Sequence, residues 1–208
     1  MSITKQQILQ WFENCHLVLT EQRDYLTQLD TDIGDGDHGL NMQRGFSKVI
    51  EKLPTVEDKD IGTILKTVGM TLLSQVGGAS GPLYGTFFIK GAQSAAGKEN
   101  LSAAELYQCI KSGVEGIVSR GKAEIGDKTM CDVWLPLLQD LADADEQTAI
   151  SDLLESAVKK SQEYLAATIP LVARKGRASY LAERSAGHQD PGATSTCYIL
   201  QALYDAVK

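Results

Sequence analysis

The chain lacks any apolar run approaching the ~18 residues of a membrane-spanning helix, so no span is expected. Its opening residues, MSITKQQ, lack the basic-then-apolar pattern of a secretory leader. Positive charge is scarce: 20 Lys and Arg stand against 27 Asp and Glu, a formal net charge of -7. That balance argues against nucleic acid as a partner. Cys15, Cys109, Cys131 and Cys197 are widely scattered, with no CxxC. Zinc-type spacing and a disulfide framework are thereby disfavoured, and reduced thiols in a cytoplasmic protein are expected. Period-two runs joined by Asn-Gly or Asp-Gly hairpin turns are missing, and no repeat, low-complexity tract or linker interrupts the chain. Residues 1–208 are read as one domain.

What is abundant is helical periodicity. Ile8, Trp11, Phe12, Cys15, Val18 and Leu19 form one stripe, which Leu26 and Leu29 extend. Ile61, Ile64, Leu65, Val68 and Leu72 form another. Leu106, Ile110, Gly113, Ile117 and Val118 follow a capping box at Ser102 and Glu105. Val133, Trp134, Leu137, Leu138 and Leu141 continue the series. Ile150, Leu153, Leu154, Ala157, Val158 and Leu165 open a long helix in which Pro170 predicts a kink. Eight helical segments result, over 3–29, 39–53, 58–75, 81–96, 102–120, 130–143, 149–173 and 191–207. The expected fold class is all-α, and the stripes themselves are core.

The connections carry the unusual chemistry. They read DTDIGDGDHGLN, GGASGP, RGKAEIGDKTM and RKGRASYLAERSAGHQDPGATS. Glycine, 19 of 208 residues, exceeds its usual ~7% share and gathers in these loops. In an up-and-down bundle alternate loops share one end. These four follow segments 1, 3, 5 and 7, so they are expected to meet in one site.

Asp30, Asp32, Asp35 and Asp37 fall within eight residues. Carboxylates ~4 Å apart repel by roughly 4 kcal/mol per pair at an effective dielectric of 20. Two readings remain: a solvated acidic turn at a helix start, or Asp30, Asp35 and Asp37 holding one or two Mg²⁺ against a polyphosphate. An EF-hand fails, with Asp35 where glycine is needed and Asn41 where glutamate is needed. The formal GxGxxG of Gly34, Gly36 and Gly39 follows a helix and carries aspartates, which excludes a dinucleotide site. The near-Walker GIVSRGKA has Ala123 in place of the hydroxyl residue and lies on an amphipathic helix. Phosphate has other possible hosts. Ser80 is expected to N-cap a helix with Pro82 in its first turn, and Asp190 to cap one beginning at Pro191. Lys175 and Arg177 add positive charge on the loop before it. His38 is either a contact within the site or a polar helix start, whereas His16 and His188 are read as structural.

The stretches LDTDIGDGDHGLNM, GGASGPLYGTFF, GDKTMCDVWLP and GRASYLAERSAGHQDPGATS, in this order, resemble the nucleotide-binding L subunits of dihydroxyacetone kinase, the DhaL family. The resemblance spans nearly the whole chain. It implies a barrel of eight antiparallel amphipathic helices with ADP or ATP in the loops at one end. It further implies two Mg²⁺ held by Asp30, Asp35 and Asp37. Nucleotide contacts carry over to His38, Gly39, Leu40, Asn41, Ala79, Ser80, Gly121, Met130, Arg177, Asp190, Pro191 and Gly192. Arg177 would also be catalytic, stabilising the moving phosphoryl group. The SYLGERSIG pattern of the family reads SYLAERSAG here, departing at Ala182 and Ala186, which puts the local flexibility of that loop in question.

The resemblance also implies a division of labour. Dihydroxyacetone would sit on a separate K subunit, and a phosphohistidine on an M subunit would rephosphorylate retained ADP. ATP-dependent relatives fuse K-like and L-like parts in a much longer chain, so 208 residues favour the phosphotransferase-system form. A transcriptional regulator and a second copy of the chain stay open as further partners. Two alternatives stand beside this reading: a kinase subunit that exchanges nucleotide freely, and a non-catalytic nucleotide-binding regulator.

Overall fold

The computed structural model describes residues 2–208 and is predominantly helical. Its elements, in order, are β1 (Ser2–Thr4), α1 (Lys5–Glu21), α2 (Arg23–Ile33), α3 (His38–Lys52), α4 (Ile61–Gln75), α5 (Ser80–Ser94), β2 (Asn100–Ser102), α6 (Ala103–Gly121), α7 (Cys131–Asp140), α8 (Ile150–Ala167) and α9 (Pro191–Asp205). Short 3₁₀ segments lie at Leu53–Thr55 and Arg177–Ser185.

Helix starts follow local chemistry. Thr4 with Gln7 and Ser102 with Glu105 form reciprocal capping boxes, and Asp60 accepts from Thr63 N–H to start α4. The expected first segment, 3–29, is two helices bent at Gln22 (φ -91°, ψ 8°). Hydrogen bonds continue on both sides of the bend, from Gln22 N–H to Val18 O and from Leu26 N–H to Gln22 O. The apolar spacing therefore runs through it, and no Gly or Pro marks it. Pro170 lies beyond α8 rather than kinking it: the helix ends at Ala167, and the chain turns over 168–170. The two strands were not expected. They pair antiparallel through only three residues each, with Ile3 opposite Leu101, too short to leave a period-two signal.

Packing runs around the molecule from neighbour to neighbour. α1 lies against α3, α3 against α4, and so on through α9, which returns to α1; α2 packs on α3 and α9. One continuous apolar core fills the interior. Trp11, Phe12 and Phe88 cluster at its centre with ring centroids 4.9–5.5 Å apart, and Trp11 Nε1 donates to Ile199 O at 2.9 Å. α4 and α5 meet through a glycine seam. A Cβ on Gly69 would lie 2.7 Å from Gly85 O, and one on Gly85 would lie 2.9 Å from Gly69 O, so only glycine permits this approach. A small satellite core of Ile33, Ala173 and Ala178, with Leu181 against it, holds the segment after α8 onto the end of α2.

Candidate functional site

The loops after α2, α4, α6 and α8 meet at one end of the bundle, as alternation along the chain requires. They surround a cavity of ≈ 500 Å³. Asp30, Asp35, Asp37, His38, Ala79, Ser80, Gly121, Met130, Arg177, Asp190, Pro191 and Gly192 stand in its wall. Gly39, Leu40 and Asn41 sit on the first turn of α3, beside the wall rather than in it. Leu40 is half-exposed, and Asn41 Oδ1 accepts from Arg44 Nη2 at 2.7 Å. Gly39 is required where α2 crosses α3: a Cβ there would lie 1.9 Å from Arg23 O.

One oxygen from each of Asp30, Asp35 and Asp37 lies within 4.8 Å of the others, the only such donor cluster among the described residues. Asp30 also builds the loop. Its Oδ2 accepts from Asp37 N–H (2.8 Å) and His38 N–H (3.0 Å), closing the turn into α3. Burial raises its pKa above the usual carboxylate value; the two backbone donors oppose this, and the charges of Asp35 and Asp37 add to it. Arg177 Nε, on the segment after α8, reaches Asp35 Oδ2 at 3.0 Å. An all-oxygen carboxylate set suits a hard divalent cation, which would relieve the mutual repulsion.

Facing the acids are helix N-termini. α3, α5, α7 and α9 all begin in the cavity wall, at His38, Ser80, Cys131 and Pro191. α5 has no side-chain cap, so the N–H groups of Ser80 and Gly81 are left for another acceptor, whereas at the start of α7 Cys131 N–H donates to Thr129 Oγ1 (3.1 Å) and Asp132 N–H to Thr129 O (3.0 Å). Ser80 is therefore not the N-cap the sequence suggested. It is the first helical residue, and its Oγ lies 3.0 Å from His38 Nδ1. The physical reason is competition: the buried imidazole claims the hydroxyl. Asp190 does cap α9, accepting from Ala193 N–H at 2.7 Å.

His38 joins three of these helices. Its Nε2 lies 2.9 Å from Ser195 Oγ, which lies 2.7 Å from Tyr84 Oη; Tyr84 also reaches Thr196 Oγ1 at 2.9 Å. Burial lowers the imidazole pKa to about 4, so the ring is neutral at pH 7, one nitrogen donating and the other accepting. Burial raises the Asp190 pKa to about 7; Ala193 N–H and Lys128 oppose that rise, whereas Asp132 and Asp30 add to it.

The sequence reading missed Tyr84, Ser195, Thr196, Asp132 and Lys128. Asp132 Oδ1 accepts from Gly126 N–H (2.5 Å) and Oδ2 from Thr129 N–H (2.7 Å), shaping the GDKTM loop. The signals available were a run of small hydroxyl residues in GATSTC and a lysine within a Gly-Asp turn. His188 Nδ1 lies 3.8 Å from Asp32 Oδ2 and supports its loop, outside the cavity wall.

Carboxylates of the kind that suit a cation and an uncapped helix start of the kind that suits an anion share one end of a helical bundle. The DAK2 domain model matches residues 32–205, and the chain belongs to that family. It is 55% identical, over the full length of both chains, to the ADP-binding subunit DhaL of the PEP-dependent dihydroxyacetone kinase of Escherichia coli (strain K12). It is 43% identical to the ADP-binding subunit DhaL of the PTS-dependent dihydroxyacetone kinase of Lactococcus lactis subsp. lactis, over 99% of each chain. Among solved structures it is similar to the dihydroxyacetone kinase from C. freundii in complex with AMP-PNP and Mg²⁺, with a TM-score of 0.72 at 24% identity. That match covers 94% of this chain and 33% of the longer kinase chain, and it speaks to the fold.

Proposed function

We propose that this chain is the nucleotide-binding subunit of a phosphotransferase-system-dependent dihydroxyacetone kinase. ADP stays bound, is phosphorylated by a phosphohistidine on an M subunit, and as ATP passes its γ-phosphate to dihydroxyacetone held on a K subunit. The observation that carries this reading is the acidic triad of Asp30, Asp35 and Asp37 in the same cavity wall as four helix N-termini. Identity across the full length of stand-alone ADP-binding subunits supports the division of labour. We further propose one domain, a closed barrel of eight antiparallel helices with α2 as an extension of α1, working in the cytoplasm.

In this reading Asp30, Asp35 and Asp37 hold Mg²⁺, two ions in all, which neutralise polyphosphate charge. Asp30 does so while fixing the turn into α3 through its two backbone acceptor bonds. The unfilled N–H groups of Ser80 and Gly81 at the start of α5 receive phosphate oxygens. Neutral His38 keeps the starts of α3, α5 and α9 in register through Ser80 and Ser195. Arg177 is the cation that can leave Asp35 for the transferred group, stabilising charge as it develops. The protein needs no covalent intermediate of its own, since positioning and charge stabilisation account for most catalysis of phosphoryl transfer.

The test is retention. Load the chain with radiolabelled ADP and run dihydroxyacetone phosphorylation with K subunit, M subunit and the phosphotransferase proteins. Label should stay on the protein through many product equivalents. Rapid loss of label, with full activity on free ATP and no M subunit, would show an exchanging kinase instead.

A further inference from the structure

Lys128 stands in the cavity wall, where a lysine suggests a phosphate ligand. Its bonding says otherwise. The side chain is 1% exposed, and Nζ donates to Thr168 O (2.8 Å), Ile169 O (3.1 Å) and Leu171 O (3.1 Å). An ammonium has three N–H groups, and all three are committed. The acceptors are carbonyls at the end of α8, where the helix dipole is negative and intrahelical donors have run out. No hydrogen is left for a phosphate oxygen.

The carbonyls Lys128 gathers begin the arm that leads to Arg177 in the cavity wall. From Leu171 the chain runs to Arg177, and Arg177 meets Asp35. A second bond joins the same two segments: Arg174 N–H donates to Asp127 O at 3.0 Å. Further along, Ala173 N–H donates to Ser185 Oγ at 2.8 Å, and the small cluster of Ile33, Ala173 and Ala178 supplies an apolar core under the arm. Arg177 itself is 63% exposed and cannot fix its own backbone. The GDKTM loop, held by Asp132, is the rigid side of this joint.

We infer that Lys128 is the positioning residue for Arg177: its ammonium sets the root of the arm, and so places the guanidinium over the acidic cluster, without touching the nucleotide. The inference rests on the proposed role of Arg177 at the transferred phosphoryl group. Methionine at 128 matches the length but removes the charge and all three donors. Arginine keeps the charge, but its planar fork spreads its donors over three nitrogens and cannot aim them at carbonyls gathered around one.

A double-mutant cycle in the full chain, assayed with K and M subunits, separates the cases. Arg177→Ala should slow phosphotransfer by about 100-fold, the usual loss on removing one transition-state donor. Lys128→Met should slow it by about 10-fold or more in the wild-type background, yet by less than about twofold in the Arg177→Ala background, because coupled residues do not add. ADP affinity should stay unchanged in Lys128→Met. Equal slowing in both backgrounds, or a large loss of ADP affinity, overturns the role given to Lys128. A normal rate for Arg177→Ala instead overturns the reading of Arg177. If Lys128→Met does not fold, Lys128→Arg carries the cycle with the same expectations. Failure of both to fold would make Lys128 a residue of global stability and defeat the assignment.

Discussion

Replacing Ala182 by glycine should stabilise the protein. Ala182 lies inside the 3₁₀ segment Arg177–Ser185 with φ 49° and ψ -128°, a conformation that crowds any Cβ. Holding a non-glycine residue in such a region costs on the order of 1–3 kcal/mol. Glycine removes that cost but loosens the unfolded chain by roughly 0.5–1 kcal/mol. At the middle of both ranges the net gain is about 1.2 kcal/mol. For a chain of this length the entropy of unfolding is about 0.4 kcal/mol/K, so the midpoint should rise by roughly 3 °C. Scanning calorimetry of the nucleotide-free, metal-free protein reads this directly. Ala186 supplies the control. It has ordinary extended angles (φ -68°, ψ 148°), so Ala186→Gly relieves nothing and should lower the midpoint by about 1–2 °C. A midpoint for Ala182→Gly that is unchanged or lower than wild type would refute the strain. The strained residue lies in the same short segment as Arg177.

Two further outcomes are expected. EDTA, Asp35→Asn and Asp37→Asn should each weaken ADP binding by at least about tenfold, measured by calorimetric titration, because chelation leaves bare carboxylates that repel phosphate and each substitution removes a ligand of the bridging metal; unchanged affinity after complete metal removal would exclude a metal-bridged site. Stability against pH should reveal two opposed titrations in the ligand-free protein. The Asp190 pKa is raised to about 7, so its contribution is full below pH ~4 and is lost as pH rises through 7; the His38 pKa is lowered to about 4, so its contribution is full above pH ~6.5 and is lost as pH falls through 4. Each has a slope near 1.4 kcal/mol per pH unit between its two values, and over pH 4–6.5 they nearly cancel. Relative to wild type, Asp190→Asn should therefore lose stability as pH falls through that window and His38→Gln should gain it, read from urea midpoints. Parallel profiles for all three proteins would contradict the opposed titrations.

Much of this architecture was legible because helices write a period of 3.6 residues into the sequence, and the order of loops then decides which end each occupies. That is how Asp30, Ser80, Met130 and Asp190 could be gathered at one end without any pairing information. The bend at Gln22 left no trace, since hydrogen bonds and apolar spacing both continue through it. The strands were invisible at three residues each. Caps were legible where the capping side chain is the nearest acceptor, as at Asp190, and misread where a distant group competes, as His38 does for Ser80. Lys128 escaped for the same reason. Its three partners lie forty residues and more along the chain, and nothing local announces them.

The glycine seam between α4 and α5 bears on how genetic screens of this protein would read. Gly69 and Gly85 touch no ligand-lining residue's chemistry, yet every single-base change that adds a side chain there drives a Cβ into the opposite carbonyl. α5 begins at Ser80 in the cavity wall, so forcing the two helices apart displaces that N-terminus along with them. A saturation library scored for loss of activity would therefore mark Gly69 and Gly85 as intolerant alongside the aspartates. A map of the site drawn from such scores would include two positions buried in the bundle. Scoring the same library for folded protein would set them apart, since the seam glycines would fail both scores and Asp35 and Asp37 only the first.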